Sequence, residues 1–140
     1  MSTREQIRNR ILLRGSRAAE QAQRARAPSN PSRELIGICV HNYVCYKFFL
    51  EPENCVGLTM AELAEESIEK ALDMKIPIAK ESESATTCGF AGSAEMKIAL
   101  LMTALKKDFN VFISPFRLGF VRDTEELADL VWRAMRGEAV

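Results

Sequence analysis

The sequence predicts an all-α protein, and three observations lead to this fold class. Apolar residues recur at every third or fourth position over several segments, which is the period of an amphipathic helix. Residues that cap helix N-termini precede those segments, and proline-containing breakers separate them. At 140 residues, with 47% hydrophobic and 27% charged residues, the chain has the composition of one globular domain with an extension.

Residues 1–33 are expected to form a flexible basic arm and linker. They hold eight arginines, no lysine and two glutamates, a net charge of +6, so the rest of this neutral chain carries −6. Residues 4–26 have helical spacing but little apolar mass, which predicts a marginal helix, and Pro28 and Pro31 then mark the linker. We expect the arm to bind an acidic partner; an arm that only solubilises the chain or packs on its own domain is the alternative.

Residues 34–58 are expected to be an additional apolar segment packed on a bundle. The run from Leu35 to Leu50 is apolar nearly all round, which favours a buried helix. Its β-branched and aromatic content leaves a strand as the alternative. With His41 inside it, the run is too short and too polar for a membrane span. Pro52 ends the segment, because proline cannot continue the hydrogen-bond ladder.

The next two helices have recognisable first residues. Thr59 and Glu62 have the spacing of a capping box, so a helix should begin there. Pro77 closes that helix, and residues 79–92, which are small and polar, are expected to form a long loop. Ser93 is placed to cap the second of these helices.

The last helix is predicted to begin at Asp123, which forms a cap together with Glu126. A short helical turn within residues 116–121 precedes it, and Gly137 marks its exit. The positions expected to be buried are Leu63, Ile68, Leu72, Leu101, Leu105, Phe109, Val111, Leu127, Leu130 and Val131.

The order helix, long loop, helix, short turn and capped helix resembles that of acyl and peptidyl carrier domains. Residues 103–113 are similar to the end of the family's second helix and the tail that follows it. The spacing then continues without a gap to Asp123, which falls on the family's helix cap. The resemblance covers residues 90–135 closely and 59–78 more loosely. It implies a four-helix acyl-carrier-like bundle over residues 59–136, with an N-terminal extension.

The family carries its phosphopantetheine arm on a serine at the start of the second helix, preceded by an aspartate. In this register Glu95 stands at the serine position and Ala94 at the aspartate position. A carboxylate cannot form the stable phosphodiester that the arm requires, so the resemblance implies a protein without this cofactor. Ser93, two residues earlier, is the alternative attachment site, as in a working carrier that holds an acyl or peptidyl thioester; a simple helix N-cap also explains it.

The resemblance therefore implies a docking or scaffold protein rather than an enzyme. Carrier-related proteins without the serine occur in bacterial peptide-maturation and natural-product pathways, so the expected partners are proteins of such a pathway. The family's second helix is acidic, whereas here Lys97, Lys106 and Lys107 outnumber the acidic residues. These lysines, together with Met96, are the expected partner-binding residues.

The cysteines and the single histidine are candidate metal ligands. Cys39, His41, Cys45 and Cys55 are the ligand types that zinc prefers. Their spacing fits no closed zinc pattern, so buried apolar thiols are expected and a metal- or redox-linked protein is the alternative. Cys88 is the thiol expected to be most exposed.

The sequence favours a cytoplasmic location. Its N-terminus lacks the apolar core of a secretion signal, and reduced thiols are usual in the cytoplasm. The arginine-rich start also resembles a mitochondrial transit peptide, but Glu5 and Glu20 argue against that. Nucleic-acid binding would depend on the arginines alone and is not expected, because no basic-aromatic stripe accompanies them.

Overall fold

The computed structural model describes residues 4–73 and 93–140, and it confirms the all-α class. Among these residues there is no β-strand, and none of the helices combines the length and apolar content that a membrane span requires. The described residues form six α-helices, four of which lie within residues 59–136. They are α1 (Arg4–Arg26), α2 (Arg33–Lys47), α3 (Met60–Asp73), α4 (Ala94–Asp108), α5 (Pro115–Leu118) and α6 (Thr124–Met135), with a 3₁₀ turn at Pro52–Asn54.

Helix α2 lies at the centre of the molecule. It packs against α1 and against α6, whereas α3 packs against α4. The run from Leu35 is a helix and not a strand, and its N-cap is Ser32, whose hydroxyl accepts the Leu35 amide at 3.1 Å. Most of the apolar side chains of α2 are buried, so segment 34–58 contributes to the core through this helix, while Ile38 and Val56 are exposed. The buried residues of α2 are Ile36, Cys39, Val40, Tyr43, Val44 and Cys45.

Helix α1 differs from the expected flexible arm. Ala18, Ala22 and Ala25 form one buried stripe of this helix, which packs against α2. Alanine adds little apolar mass, but its short side chain allows two helix axes to approach closely. Further toward the N-terminus, Ile7 and Ile11 pack against α3. Residues 4–26 are therefore a structural helix of the body.

All three expected N-caps are confirmed. The Thr59 amide donates to the Glu62 carboxylate at 2.9 Å, and the Glu62 amide donates to the Thr59 hydroxyl at 3.1 Å. Ser93 accepts the amide three residues on at 3.1 Å, and Asp123 accepts the Glu126 amide at 2.9 Å. The capping residues are local in sequence, and they fix where α3, α4 and α6 begin.

Most of the expected core positions are confirmed, and Leu72 is wrong. Leu72 is 56% exposed, because α3 packs through a stripe that runs over Ala64, Ser67 and Ala71 and leaves Leu72 to one side. Pro77 and the loop expected at residues 79–92 lie outside the described residues. Two expected positions are partly buried, namely Ile68 and Val111, and seven are buried, namely Leu63, Leu101, Leu105, Phe109, Leu127, Leu130 and Val131.

Candidate functional site

The start of α4 holds Ser93 and Glu95, the residues that the sequence comparison with carrier domains singled out. Ser93 is exposed, and its hydroxyl oxygen accepts the Met96 amide at 3.1 Å, as a helix N-cap does. Glu95 lies exposed in the first turn, where a carboxylate interacts favourably with the helix dipole. The exposed side chain at the aligned attachment position is therefore a carboxylate.

The exposed face of α4 runs from Met96 to Lys107. These residues are eleven positions apart, close to three helical turns, so they share one face. Met96 is 53% exposed, Lys107 is exposed and Lys106 is partly buried. The exposed part of the predicted partner-binding set thus consists of Met96 and Lys107, with a contribution from Lys106.

Lys97 does not belong to this face, although it was expected to bind a partner. It is fully buried, and its ammonium group lies 5.8 Å from the centre of the Phe48 ring. One residue along a helix turns the side chain by about 100°, which takes Lys97 away from Met96 and toward the buried side of Leu101. The Lys97 charge is held by the interior of the protein and is not part of a docking surface.

Three phenylalanines within residues 112–120 are exposed, which the sequence did not predict. Phe112 is 82% exposed, Phe116 is 73% exposed and Phe120 is 70% exposed. The rings of Phe116 and Phe120 contact each other edge to face, with centroids 5.0 Å apart. The interior positions of the same segment belong to Ile113 and Leu118, which leaves the larger rings outside. We call Phe112, Phe116 and Phe120 the aromatic surface.

Charged residues border the aromatic surface. Phe120 forms part of the wall of an open cleft of about 490 Å³, together with Arg33 and Arg117. The opposite wall belongs to α6, from which Glu125 binds Arg33 with a nitrogen–oxygen distance of 2.8 Å. Clustered exposed aromatic rings beside charges of both signs are typical of a protein-binding surface.

The histidine of the considered metal cluster is held by hydrogen bonds within the protein. His41 Nε2 donates to the Pro52 carbonyl at 2.9 Å, and Nδ1 then accepts from the Thr124 hydroxyl, also at 2.9 Å. The Cys45 sulfur lies 3.7 Å from Nε2. In residues 4–73 and 93–140 no group of three or more His, Cys, Asp or Glu side chains is placed to hold a metal ion.

The thiols in the described part of the chain are buried and free. Burial raises the pKa of the thiols of Cys39, Cys45 and Cys55 above the usual value. A raised pKa leaves little thiolate at neutral pH, so these groups are weak nucleophiles. Cys88, the thiol expected to be exposed, lies outside the described residues.

Comparisons of the chain with protein-family models, curated proteins and solved structures found no match. The resemblance to carrier domains consequently depends on the residues of this chain alone.

Proposed function

We propose that this protein is a non-catalytic, carrier-related docking protein without a phosphopantetheine arm. It would bind protein partners in a peptide-maturation or natural-product pathway. The order of α3, α4, α5 and α6 supports this proposal, because it repeats the order of helices in a carrier domain. Helices α1 and α2 are then the N-terminal extension, with α2 built into the shared core. The free buried thiols of Cys39, Cys45 and Cys55 suit the reducing cytoplasm.

The observation that carries the proposal is the exposed carboxylate of Glu95 in the first turn of α4. A carrier domain places the hydroxyl of its attachment serine there, and the arm is joined through a phosphodiester. A glutamate cannot form that bond stably. The nearest hydroxyl, on Ser93, serves as the N-cap of α4 and accepts a backbone amide at 3.1 Å. These residues favour a frame that has lost its attachment site.

Binding rather than chemistry is also favoured by the exposed surfaces. Met96, Lys107 and the partly buried Lys106 form a basic face with an apolar end on α4. The aromatic surface supplies large rigid side chains of the kind that dominate binding energy in protein interfaces. Together they would accept a partner with an acidic rim and an apolar centre.

The decisive experiment is the intact mass of the protein after coexpression with a phosphopantetheinyl transferase of broad specificity. The expected mass is that of the unmodified chain. In the double variant Ala94→Asp with Glu95→Ser, we expect the mass of one added arm, because the acceptor and its preceding carboxylate are restored. A mass increase in the unaltered protein that is lost in Ser93→Ala would instead establish a working carrier modified at Ser93, and the proposal would be wrong.

A further inference from the structure

A basic cleft lies between α1 and the end of α3. Its volume is about 290 Å³. Three arginines of α1 have the spacing i, i+4 and i+7, so they lie along one face of the helix. The basic residues of the wall are Arg10, Arg14, Arg17 and Lys70, and the apolar residues are Leu13 and Phe49.

Arg14 has a donor that the protein leaves unused. Its Nη2 atom pairs with the Glu51 carboxylate, whereas its Nη1 atom is buried and has no hydrogen-bond partner. Ser67 Oγ, on α3, is the one other side-chain polar atom in the described residues that is buried without a partner. Buried donors of folded proteins are nearly always satisfied, so the hydrogen bonding of this guanidinium is incomplete.

Tyr46 fixes the guanidinium groups in this cleft. The guanidinium carbon of Arg14 lies 5.8 Å from the centre of the Tyr46 ring, and that of Arg17 lies 5.9 Å from it. Contacts of a cation with an aromatic face hold the side chain in position before any anion arrives. The guanidinium groups of Arg14 and Arg17 therefore both lie beside one aromatic ring.

Positive charge in the cleft exceeds the nearby negative charge. The ion pairs of the described residues include none from Arg10, Arg17 or Lys70. Glu51 is the carboxylate beside the cleft, and the hydrogen bond from Arg14 holds its pKa below the usual value, with smaller contributions from the charges of Arg14 itself, Lys70 and Arg17. Two more carboxylates, those of Glu66 and Glu69, line the neighbouring cleft, with which Lys70 is shared.

We propose that this cleft binds a phosphorylated small molecule, whose phosphate lies among the charges of Arg10, Arg14, Arg17 and Lys70. Guanidinium groups bind phosphate through charge-assisted hydrogen bonds in a planar fork. Leu13 and Phe49 would contact the apolar part of the ligand. A volume of about 290 Å³ is near the lower end of the usual range for ligand pockets, which fits a phosphomonoester or a small diphosphate.

The test uses inorganic diphosphate as the probe, with the full-length protein and with sodium chloride added to keep the ionic strength constant. Calorimetric titration should give saturable binding of one diphosphate per chain, and the melting temperature should rise with diphosphate concentration, because a ligand of the native state stabilises it. The double variant Arg10→Gln with Lys70→Gln should weaken this binding by about tenfold or more, since two charged partners are lost.

The matched control is Arg8→Gln with Arg24→Gln, which removes the same charge. Arg8 lies two positions from Arg10, on the opposite side of α1, and the exposed Arg24 lies near the other end of that helix, outside the cleft wall. We expect this variant to bind diphosphate with nearly unchanged affinity. Equal weakening in both double variants would overturn the proposal, because the binding would then reflect net charge alone.

Two further results would also overturn the proposal. One is the absence of saturation at about 10 mM diphosphate, an affinity too weak for a built site. The other is a single-stranded oligonucleotide that displaces diphosphate and binds more tightly, which would indicate a polyanion surface along α1. The transferase experiment above is independent of this cleft, so each proposal can fail without the other.

Discussion

The cost of removing a leucine side chain depends on where its helix faces, and two leucines provide a matched pair. Leu105 is fully buried on α4, whereas Leu72 on α3 is 56% exposed. We expect Leu105→Ala to lower the free energy of unfolding by about 2–5 kcal/mol, because it removes apolar contacts and leaves a cavity. Leu72→Ala should cost about 0.5 kcal/mol or less.

Urea unfolding followed by circular dichroism measures both changes. The unaltered chain is the reference, and the slope of the transition should be the same in all three proteins. Equal losses in the two variants would contradict the packing described for α3 and α4.

The ion pair of Glu51 with Arg14 predicts a specific pH dependence. The hydrogen bond from Arg14 holds the pKa of Glu51 below its usual value in the folded state. The unfolded chain therefore binds the proton more readily, so this pair stabilises the fold above the unfolded pKa, and the stabilisation is lost as pH falls through the folded pKa. We expect Glu51→Gln to reduce the fall in melting temperature between about pH 6 and pH 3.5.

The measurement is the melting temperature of the unaltered protein and of Glu51→Gln at several pH values across this range. Glu53→Gln is the control, because Glu53 is exposed and forms no ion pair within the described residues. A pH dependence that is unchanged in Glu51→Gln, or changed equally in both variants, would show that the pair does not contribute.

At the scale of single elements, α1 has one side packed against the body and one side facing solvent, and alanines lie on both sides. Ala22 lies on the packed side and is 2% exposed, whereas Ala19 is exposed to solvent. We expect Ala22→Leu to destabilise the protein by about 1–3 kcal/mol, because the larger side chain overfills the contact with α2. Ala19→Leu should change the stability by about 0.5 kcal/mol or less.

Chemical denaturation again provides the values, with both variants measured beside the unaltered chain. If Ala22→Leu is as stable as Ala19→Leu, then α1 is not held against α2, and residues 1–33 behave as the arm that the sequence suggested.

Local signals predicted where most helices begin, and the packing of those helices depended on information that is not local. Thr59, Ser93 and Asp123 cap their helices through bonds to residues three positions on, so sequence spacing was sufficient. The docking of α1 through alanines and the central place of α2 depend on distant partners. The number of large apolar side chains in a segment does not predict whether its helix packs through small side chains such as alanine.

The candidate site was predictable in part for the same reason. Met96 and Lys107 lie on the exposed face of α4, as the helical period predicts once the helix is located. The prediction for Lys97 is wrong, because this lysine is buried, whereas lysine is almost always exposed. The sequence did not predict the aromatic surface, because phenylalanine is usually buried. The signal for this surface is that Phe112, Phe116 and Phe120 recur every four residues in a segment interrupted by Pro115.

At the scale of the whole molecule, the basic cleft and the aromatic surface belong to different parts of the chain. The excess of arginine in residues 1–33 is carried by a helix that belongs to the body, so its charge is fixed in space. It lines the basic cleft with Lys70, while the aromatic surface belongs to α5 and its flanking segments. A small phosphorylated ligand and a protein partner could therefore bind this chain at the same time.

The aromatic surface should contribute to binding of partners and little to the stability of the fold. In the triple variant Phe112→Ser, Phe116→Ser and Phe120→Ser, the free energy of unfolding should stay within about 1.5 kcal/mol of the unaltered value, because exposed side chains contribute little. Partner proteins retained by the unaltered chain from a lysate of its own cells should be lost, because large aromatic rings at the centre of an interface supply most of the binding energy.

The control for this prediction must remove as much exposed apolar surface from elsewhere. Leu12, Val56 and Leu72 are 61%, 77% and 56% exposed, and they lie outside the aromatic surface. Their triple replacement by serine should leave the retained partners unchanged, as quantified by mass spectrometry. If both triple variants lose the same partners, retention reflects general apolar exposure. If only the phenylalanine variant loses them and its stability is maintained, residues 112–120 are a binding surface. Unfolding and non-specific apolar association are then both excluded as the cause of the loss.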